Sequence, residues 1–305
     1  MPTQPPTRRT ALLAAGAAVA GAPLLAAEPY RPKGHVRHSI VNWCFASHGE
    51  KWDAETTCRV AKAIGCVSVE LIEPQHWPTL KKHGLTCAIA GSGYPKPGFM
   101  YGLNNPRHSG EVVARTKKRI DECADFGSPS VIAFTGYKWL DPADPRSGEI
   151  APDEGAANCV KALKELAGVA EKKNVAVCIE HLNTRDTTHP MKGHPGYQGD
   201  DLDYLAGIVR KVGSSHVRLL FDVYHVQVMH GDLVRRIEQT RDVIGHVHTA
   251  GNPGRGELDE SQEIAYQAVM RKLLEIKYTG YVGHEFIPTR DPRAGLAQAV
   301  KVCDV

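Results

Sequence analysis

Four short apolar segments in the carboxyl-terminal half each end on a residue able to ligate a metal, and this repeat constrains the fold more than any other feature. They are Val175–Glu180 (VAVCIE), Val217–Asp222 (VRLLFD), Ile244–His248 (IGHVH) and Tyr281–Glu285 (YVGHE). Each is rich in Val, Ile, Leu or aromatics and is separated from the next by a helix-like stretch, so each reads as a buried parallel strand. Strand–helix units in series close into a (β/α)8 barrel, where the carboxyl ends of the strands converge on one rim. Glu180, Asp222, His248 and Glu285 then meet in one pocket. Three carboxylates and an imidazole make a donor set for a divalent cation. Without one, the three negative charges repel and shift one another's pKa values. A single acidic residue at a strand end is more often a solvated group or a cap, but four in series are hard to obtain by chance.

The rest of the chain supplies the remaining units. Further strands are expected over Ser39–Phe45, Val67–Ile72, Leu85–Ala90 and Ser130–Thr135. Helices are expected over Ala54–Ile64 with Asp53 as cap, Trp77–His83, Gly110–Phe126, Asp153–Lys173, Asp201–Val212, Asp232–Thr240, Ser261–Ile276 and Pro292–Val300. Gly91 to Pro106 is long, rich in Gly and Pro, and carries Tyr94, Phe99, Met100 and Tyr101, which fits a lid or pocket wall. Gly136–Ala151 and Asn183–Gly199 read as rim loops. The count is eight strand–helix units with no linker to divide them. The fold class is α/β, a single TIM-barrel domain over residues 36–305, ordinary for a chain of 305 residues.

Residues 1–28 read differently. Thr7-Arg8-Arg9-Thr10 precedes an Ala-rich apolar run from Ala11 to Ala27, the pattern of an export signal, and the Arg pair suits the twin-arginine route to the periplasm. The run is too short and too Ala-rich for a span of about 20 residues. Net charge is +3, which points to neither nucleic acid nor, once a signal is removed, a membrane as main partner. The eight Cys form no C-x-x-C pair and read as core thiols, although an oxidising destination leaves one or two bridges open. Self-association into a homo-oligomer is left open.

Other polar residues surround the expected pocket. His225 follows Asp222 by three positions and could donate to a substrate oxygen. The alternative is a supporting or surface role. His246 is two residues before His248 and so lies on the same face, one layer deeper. His181 and His284 point to the opposite face and read as structural. Arg255, just after the seventh strand, suits bidentate binding of a carboxylate or of vicinal oxygens. It reads about equally as a solvated loop residue paired with Glu257 or Asp259. Arg185 and Lys192 are weaker candidates for the same task.

A metal that chelates a carbonyl and a neighbouring hydroxyl acidifies the C–H between them. Glu180 and Glu285 could then serve as general base and acid, which gives aldose–ketose isomerisation or epimerisation through an enediolate. Mn²⁺, Mg²⁺, Co²⁺ or Zn²⁺ would suit the donors. No phosphate-binding Gly motif is present, so no nucleotide is expected.

These stretches carry a family likeness. Ile179-Glu180-His-Leu-Asn183-Thr-Arg185-Asp186, Phe221-Asp222-Val-Tyr-His225-Val-Gln227-Val-Met229-His-Gly231-Asp232, His246-Val-His248-Thr-Ala250-Gly251-Asn-Pro253-Gly254-Arg255 and Gly280-Tyr281-Val-Gly283-His-Glu285 resemble the xylose isomerase-like TIM-barrel superfamily, and within it the hydroxypyruvate isomerase family. The resemblance implies that Glu180 and Glu285 are both metal ligands and the acid/base pair. It also implies a small hydroxy-carbonyl acid as substrate. Two departures widen that to sugars. His248 stands where hydroxypyruvate isomerases usually carry Gln, as in metal-dependent ketose 3-epimerases, and the loop after Arg185 is longer, with His189, His194, Tyr197 and Gln198. A trinuclear zinc nuclease on the same barrel would need further His ligands, where this chain has Ala133-Phe134-Thr135 and Arg255-Gly-Glu257. A non-catalytic periplasmic sugar-binding protein is the remaining alternative.

Overall fold

The computed structural model describes residues 1, 30–185, 187–188 and 193–305. The expected export signal, apart from Met1, and the loop residues His189 and Lys192 lie outside the described residues.

Seven strands form one parallel sheet: β1 (Arg37–Val41), β2 (Ser68–Glu70), β3 (Ser130–Ala133), β6 (Ala176–Glu180), β7 (Val217–Asp222), β8 (Ile244–Thr249) and β9 (Tyr281–His284). Their order is β2-β1-β9-β8-β7-β6-β3. The expected strand Leu85–Ala90 fills the gap between β2 and β3 and closes the barrel. It does so through two isolated bridges, Ser68 to Thr86 and Ala90 to Val131. Serine hydroxyls interrupt its ladder. Ala88 N donates to Ser68 Oγ, while Ser128 Oγ and Ser130 Oγ donate to the carbonyls of Cys87 and Ala88. Side chains here take positions that backbone partners hold in a regular strand.

The helices lie outside the sheet. The long ones are α4 (Pro106–Phe126), α5 (Pro152–Lys173), α6 (Leu202–Val212), α9 (Tyr266–Glu275) and α10 (Pro292–Cys303), and shorter ones follow the first two strands, α2 (Ala54–Ala63) and α3 (Trp77–Lys82). Asp53 caps α2 through Thr56 N, as the sequence suggests. Apolar faces of the helices and alternate strand residues form one continuous core. A smaller group inside the barrel consists of Ile89, Ile132, Cys178 and Leu220. All eight cysteines are buried free thiols, so no bridge staples the fold. Among the described residues, no helix is long and apolar enough to cross a membrane.

Several expected boundaries shift. The first strand ends at Val41 and the chain turns into a short helix, α1 (Asn42–Ser47), which buries Cys44 and Phe45. The expected rim loop Gly136–Ala151 contains an antiparallel pair, β4 (Trp139–Asp141) and β5 (Asp144–Glu149), whose polar sequence hid it. A further helix, α7 (Val223–Met229), begins directly after Asp222 and precedes α8 (Leu233–Gln239). The expected helix from Ser261 starts only at Tyr266, because Asp259 holds Ser261 N and Oγ in a turn.

Candidate metal centre

The four strand-end residues converge. Ligand atoms of Glu180, Asp222, His248 and Glu285 all lie within 4.8 Å of one another, and all four residues are buried. Parallel register does this: Asp222 pairs with His248 across β7 and β8, and His248 with Gly283 across β8 and β9, two residues before Glu285. Neighbouring strands thus end at one level.

The cluster's charges are strongly coupled. Burial pushes the Glu180 carboxyl up to about 7, with Glu285 and Asp222 adding to the rise and His248 opposing it. Burial likewise raises Asp222 to about 6. Burial would raise Glu285 too, but His248 and Arg255 outweigh it and hold that carboxyl down at about 2. Burial opposes a charge on His248, yet Glu285, Glu180 and Glu70 draw the imidazole well above its ordinary range. Environments that push two carboxylates apart in this way are suited to separate acid and base roles.

The donors fit a divalent cation. His248 Nδ1 lies 2.9 Å from Glu285 Oε2 and 3.5 Å from Glu180 Oε1, but is aligned as a hydrogen bond to neither. Asp222 Oδ1 caps α7 by accepting from His225 N at 3.1 Å, whereas Asp222 Oδ2 has no hydrogen-bond partner. Buried polar atoms are rarely left so. Oxygen and imidazole donors gathered about a common centre are what Mn²⁺, Mg²⁺, Co²⁺ or Zn²⁺ require.

The flanking residues are placed more tightly than their spacing suggested. Arg255 is only 2 % exposed. Its Nη2 donates to Glu285 Oε2 at 2.7 Å, and its Nη1 lies 2.6 Å from His225 Nε2. The solvated alternative is overturned, because Glu257 instead accepts from Thr289 N, Thr289 Oγ1 and Arg290 N. His225 borders the pocket, but Asn183 N donates to its Nδ1 at 3.1 Å. Burial, with Arg255 beside it, keeps His225 uncharged. Arg185 faces away, donating to the Met229 carbonyl. His181 and His284 have the structural roles expected of them. His181 Nε2 bonds the Asp200 carbonyl, and His284 contacts Thr249 Oγ1 and stacks on His38.

Two residues escaped the sequence reading. Trp43, in α1, donates from Nε1 to Glu285 Oε1 at 2.9 Å. Glu70, at the end of β2, contacts His246 and His248. Glu70 carried a usable signal, an acidic residue closing an apolar strand. Trp43 carried none, since its strand ended earlier than expected.

The pocket over the cluster has a volume of about 600 Å³. Glu180, Glu285, His225 and Arg255 line it. Residues of the 91–99 segment, Phe134 and Arg119 line it as well, so the Gly/Pro-rich loop is a pocket wall.

The fold and this centre define a class, and the chain belongs to the xylose isomerase-like TIM barrel family, whose model matches residues 58–304. Among its curated relatives are a putative hydroxypyruvate isomerase of Mus musculus, 35% identical over 45% of this chain and 48% of the relative, and the hydroxypyruvate isomerase of Escherichia coli, 31% identical over 46% and 51%. The 2-oxo-tetronate isomerase of Cupriavidus necator is 32% identical over 54% of this chain and 62% of that protein. The chain thus spans about half the length of the curated relatives it matches. Among solved structures, a 3-keto-D-glucoside 4-epimerase from E. coli superposes with a TM-score of 0.70 at 20% identity, covering 88% of this chain and 100% of that one. A D-psicose 3-epimerase superposes with a TM-score of 0.64 at 17% identity, covering 88% and 90%. Likeness at these identities carries the fold.

Proposed function

We propose that the protein is a metal-dependent intramolecular isomerase of small hydroxy-carbonyl compounds, interconverting hydroxypyruvate and 2-hydroxy-3-oxopropanoate. The observation that supports this most is the convergence of Glu180, Asp222, His248 and Glu285 at one buried point. These four residues would hold the ion, which supplies Lewis-acid polarisation of the substrate carbonyl and its neighbouring hydroxyl. The two glutamates would move the proton. One takes it from C3 of hydroxypyruvate, and the C3–H electrons form the C2–C3 double bond of an enediolate as the C2 carbonyl π electrons move onto its oxygen. A proton returned to C2, together with passage of the C3 hydroxyl proton to the C2 oxygen, completes the aldehyde. Burial of Glu180 favours its protonated form, while Arg255 and Trp43 support Glu285 as a carboxylate.

A second reading, a ketose epimerase or isomerase on the same centre, is favoured by the pocket volume. About 600 Å³ is far more than a three-carbon acid fills. Turnover separates the two. The chelator-stripped protein, reloaded with Mn²⁺, is given hydroxypyruvate and then a panel of ketoses. Product from hydroxypyruvate supports the first reading. Product from a ketose alone replaces it with the second, and none from either removes both.

We further propose export to the periplasm, from Arg8-Arg9 and the Ala-rich run that follows. Cell fractionation with Arg8→Lys/Arg9→Lys is the test. Export unaffected by that change would argue against the twin-arginine route.

A further inference from the structure

We propose that Glu70 is a positioning residue that determines which ring nitrogen His248 presents to the cation. The inference rests on the metal reading of the four-residue cluster. Glu70 ends β2, which is separated from β8 around the sheet by β1 and β9. It is fully buried. Its Oε1 lies 2.8 Å from His248 Nε2 and 2.9 Å from His246 Nε2.

An ionised carboxylate only accepts hydrogen bonds. Both imidazoles must therefore present Nε2–H to the same oxygen. A neutral His248 with its proton on Nε2 carries a lone pair on Nδ1, and Nδ1 is the nitrogen that faces Glu180 and Glu285. The other tautomer would set the Nε2 lone pair against the Glu70 charge and close Nδ1 to a cation. His246 and His248 are two residues apart on β8, so both rings reach the same carboxylate from one face.

The cradle is built for this carboxylate. A Cβ at Gly283 would overlap Glu70 Oε1 and stand 2.9 Å from His248 Cδ2. Glycine at that position of β9 leaves the space that both side chains occupy. The second oxygen, Glu70 Oε2, has no hydrogen-bond partner. A hydrogen-bonded carboxylate behind a metal-bound histidine fixes the ring and raises its basicity, and losing it typically weakens metal binding about 10–100-fold.

The test has two readouts. Mn²⁺ affinity of the chelator-stripped protein is measured by titration calorimetry for the wild type and for Glu70→Gln, with thermal unfolding of the metal-free forms alongside. The expected result is a dissociation constant raised about 10–100-fold in a folded variant. The second readout needs no variant. Wild-type protein labelled with ¹⁵N-histidine and loaded with Zn²⁺ is expected to show His248 with its proton on Nε2 and a metal-shifted Nδ1. An unchanged affinity in a folded Glu70→Gln, or a His248 proton on Nδ1, overturns the assignment. If Glu70→Gln does not fold, the spectrum decides. If the wild type binds no divalent ion, the metal reading itself falls, an outcome distinct from a wild type and variant that bind equally well.

Discussion

Trp43 and Glu285 stand 242 positions apart in the chain and meet across 2.9 Å, the indole N–H donating to the carboxylate. The contact joins the first strand–helix unit to the last. On the other oxygen, Glu285 accepts from Arg255 and faces His248. Trp43 therefore helps keep Glu285 ionised, and burial alone would do the reverse.

Trp43→Phe keeps the ring and removes the donor. A hydrogen bond to a charged group contributes about 1.5–3 kcal/mol. In the proposed reaction, turnover should fall roughly 10-fold or more, since every 1.4 kcal/mol of barrier is a factor of about ten. Steady-state kinetics on the reloaded enzyme checks this. Unchanged turnover would mean that Trp43 only lines the pocket.

Asp222 serves two purposes, and two substitutions separate them. Its Oδ1 caps α7, while Oδ2 faces the cluster without a hydrogen-bond partner. Asn is as good a cap as Asp, whereas Ala forfeits about 1 kcal/mol. In the metal-free protein Asp222→Asn should match or exceed wild-type stability, because it also removes a buried carboxyl raised to about 6. Asp222→Ala should fall about 1 kcal/mol below Asp222→Asn. Urea unfolding of the three stripped proteins measures both differences. Equal stability of the two variants would contradict the capping role.

Glu180 gives a pH dependence of definite sign. Its folded carboxyl is raised to about 7 from an ordinary value of 4.5. Between those values the folded state holds more protons than the unfolded one, so this contribution to stability is whole below pH 4.5 and is lost as pH rises through 7. Glu180→Gln does not titrate. The metal-free variant should be more stable than the metal-free wild type at pH 8, by on the order of a few kcal/mol, with the gap closing toward pH 4.5. A divalent ion should offset the penalty in the wild type, whereas the variant has no such penalty to offset. A gap that stays constant across this range would refute the coupling.

Much of the site was legible because strand ends in a closed parallel sheet must meet. Four apolar runs with terminal ligands suffice to place Glu180, Asp222, His248 and Glu285 together. What the pattern could not convey was pairing across the barrel. Nothing in the spacing joins Glu70 to residues more than 170 positions later, at 2.8 and 2.9 Å. Arg255 illustrates the same limit. Its loop looked solvated, yet a left-handed backbone at φ 51° carries its side chain inward to Glu285. The 85–90 segment read as an ordinary strand, because hydroxyl groups that replace ladder partners leave the apolar pattern unchanged.

The central claim is that the four strand-end residues form one divalent-cation site, and equilibrium dialysis of the chelator-stripped protein against Mn²⁺ tests it most directly. The account predicts one ion bound per chain in the wild type, and loss of that binding in His248→Ala while the protein stays folded. No bound ion in the wild type, or unchanged binding in folded His248→Ala, would contradict it.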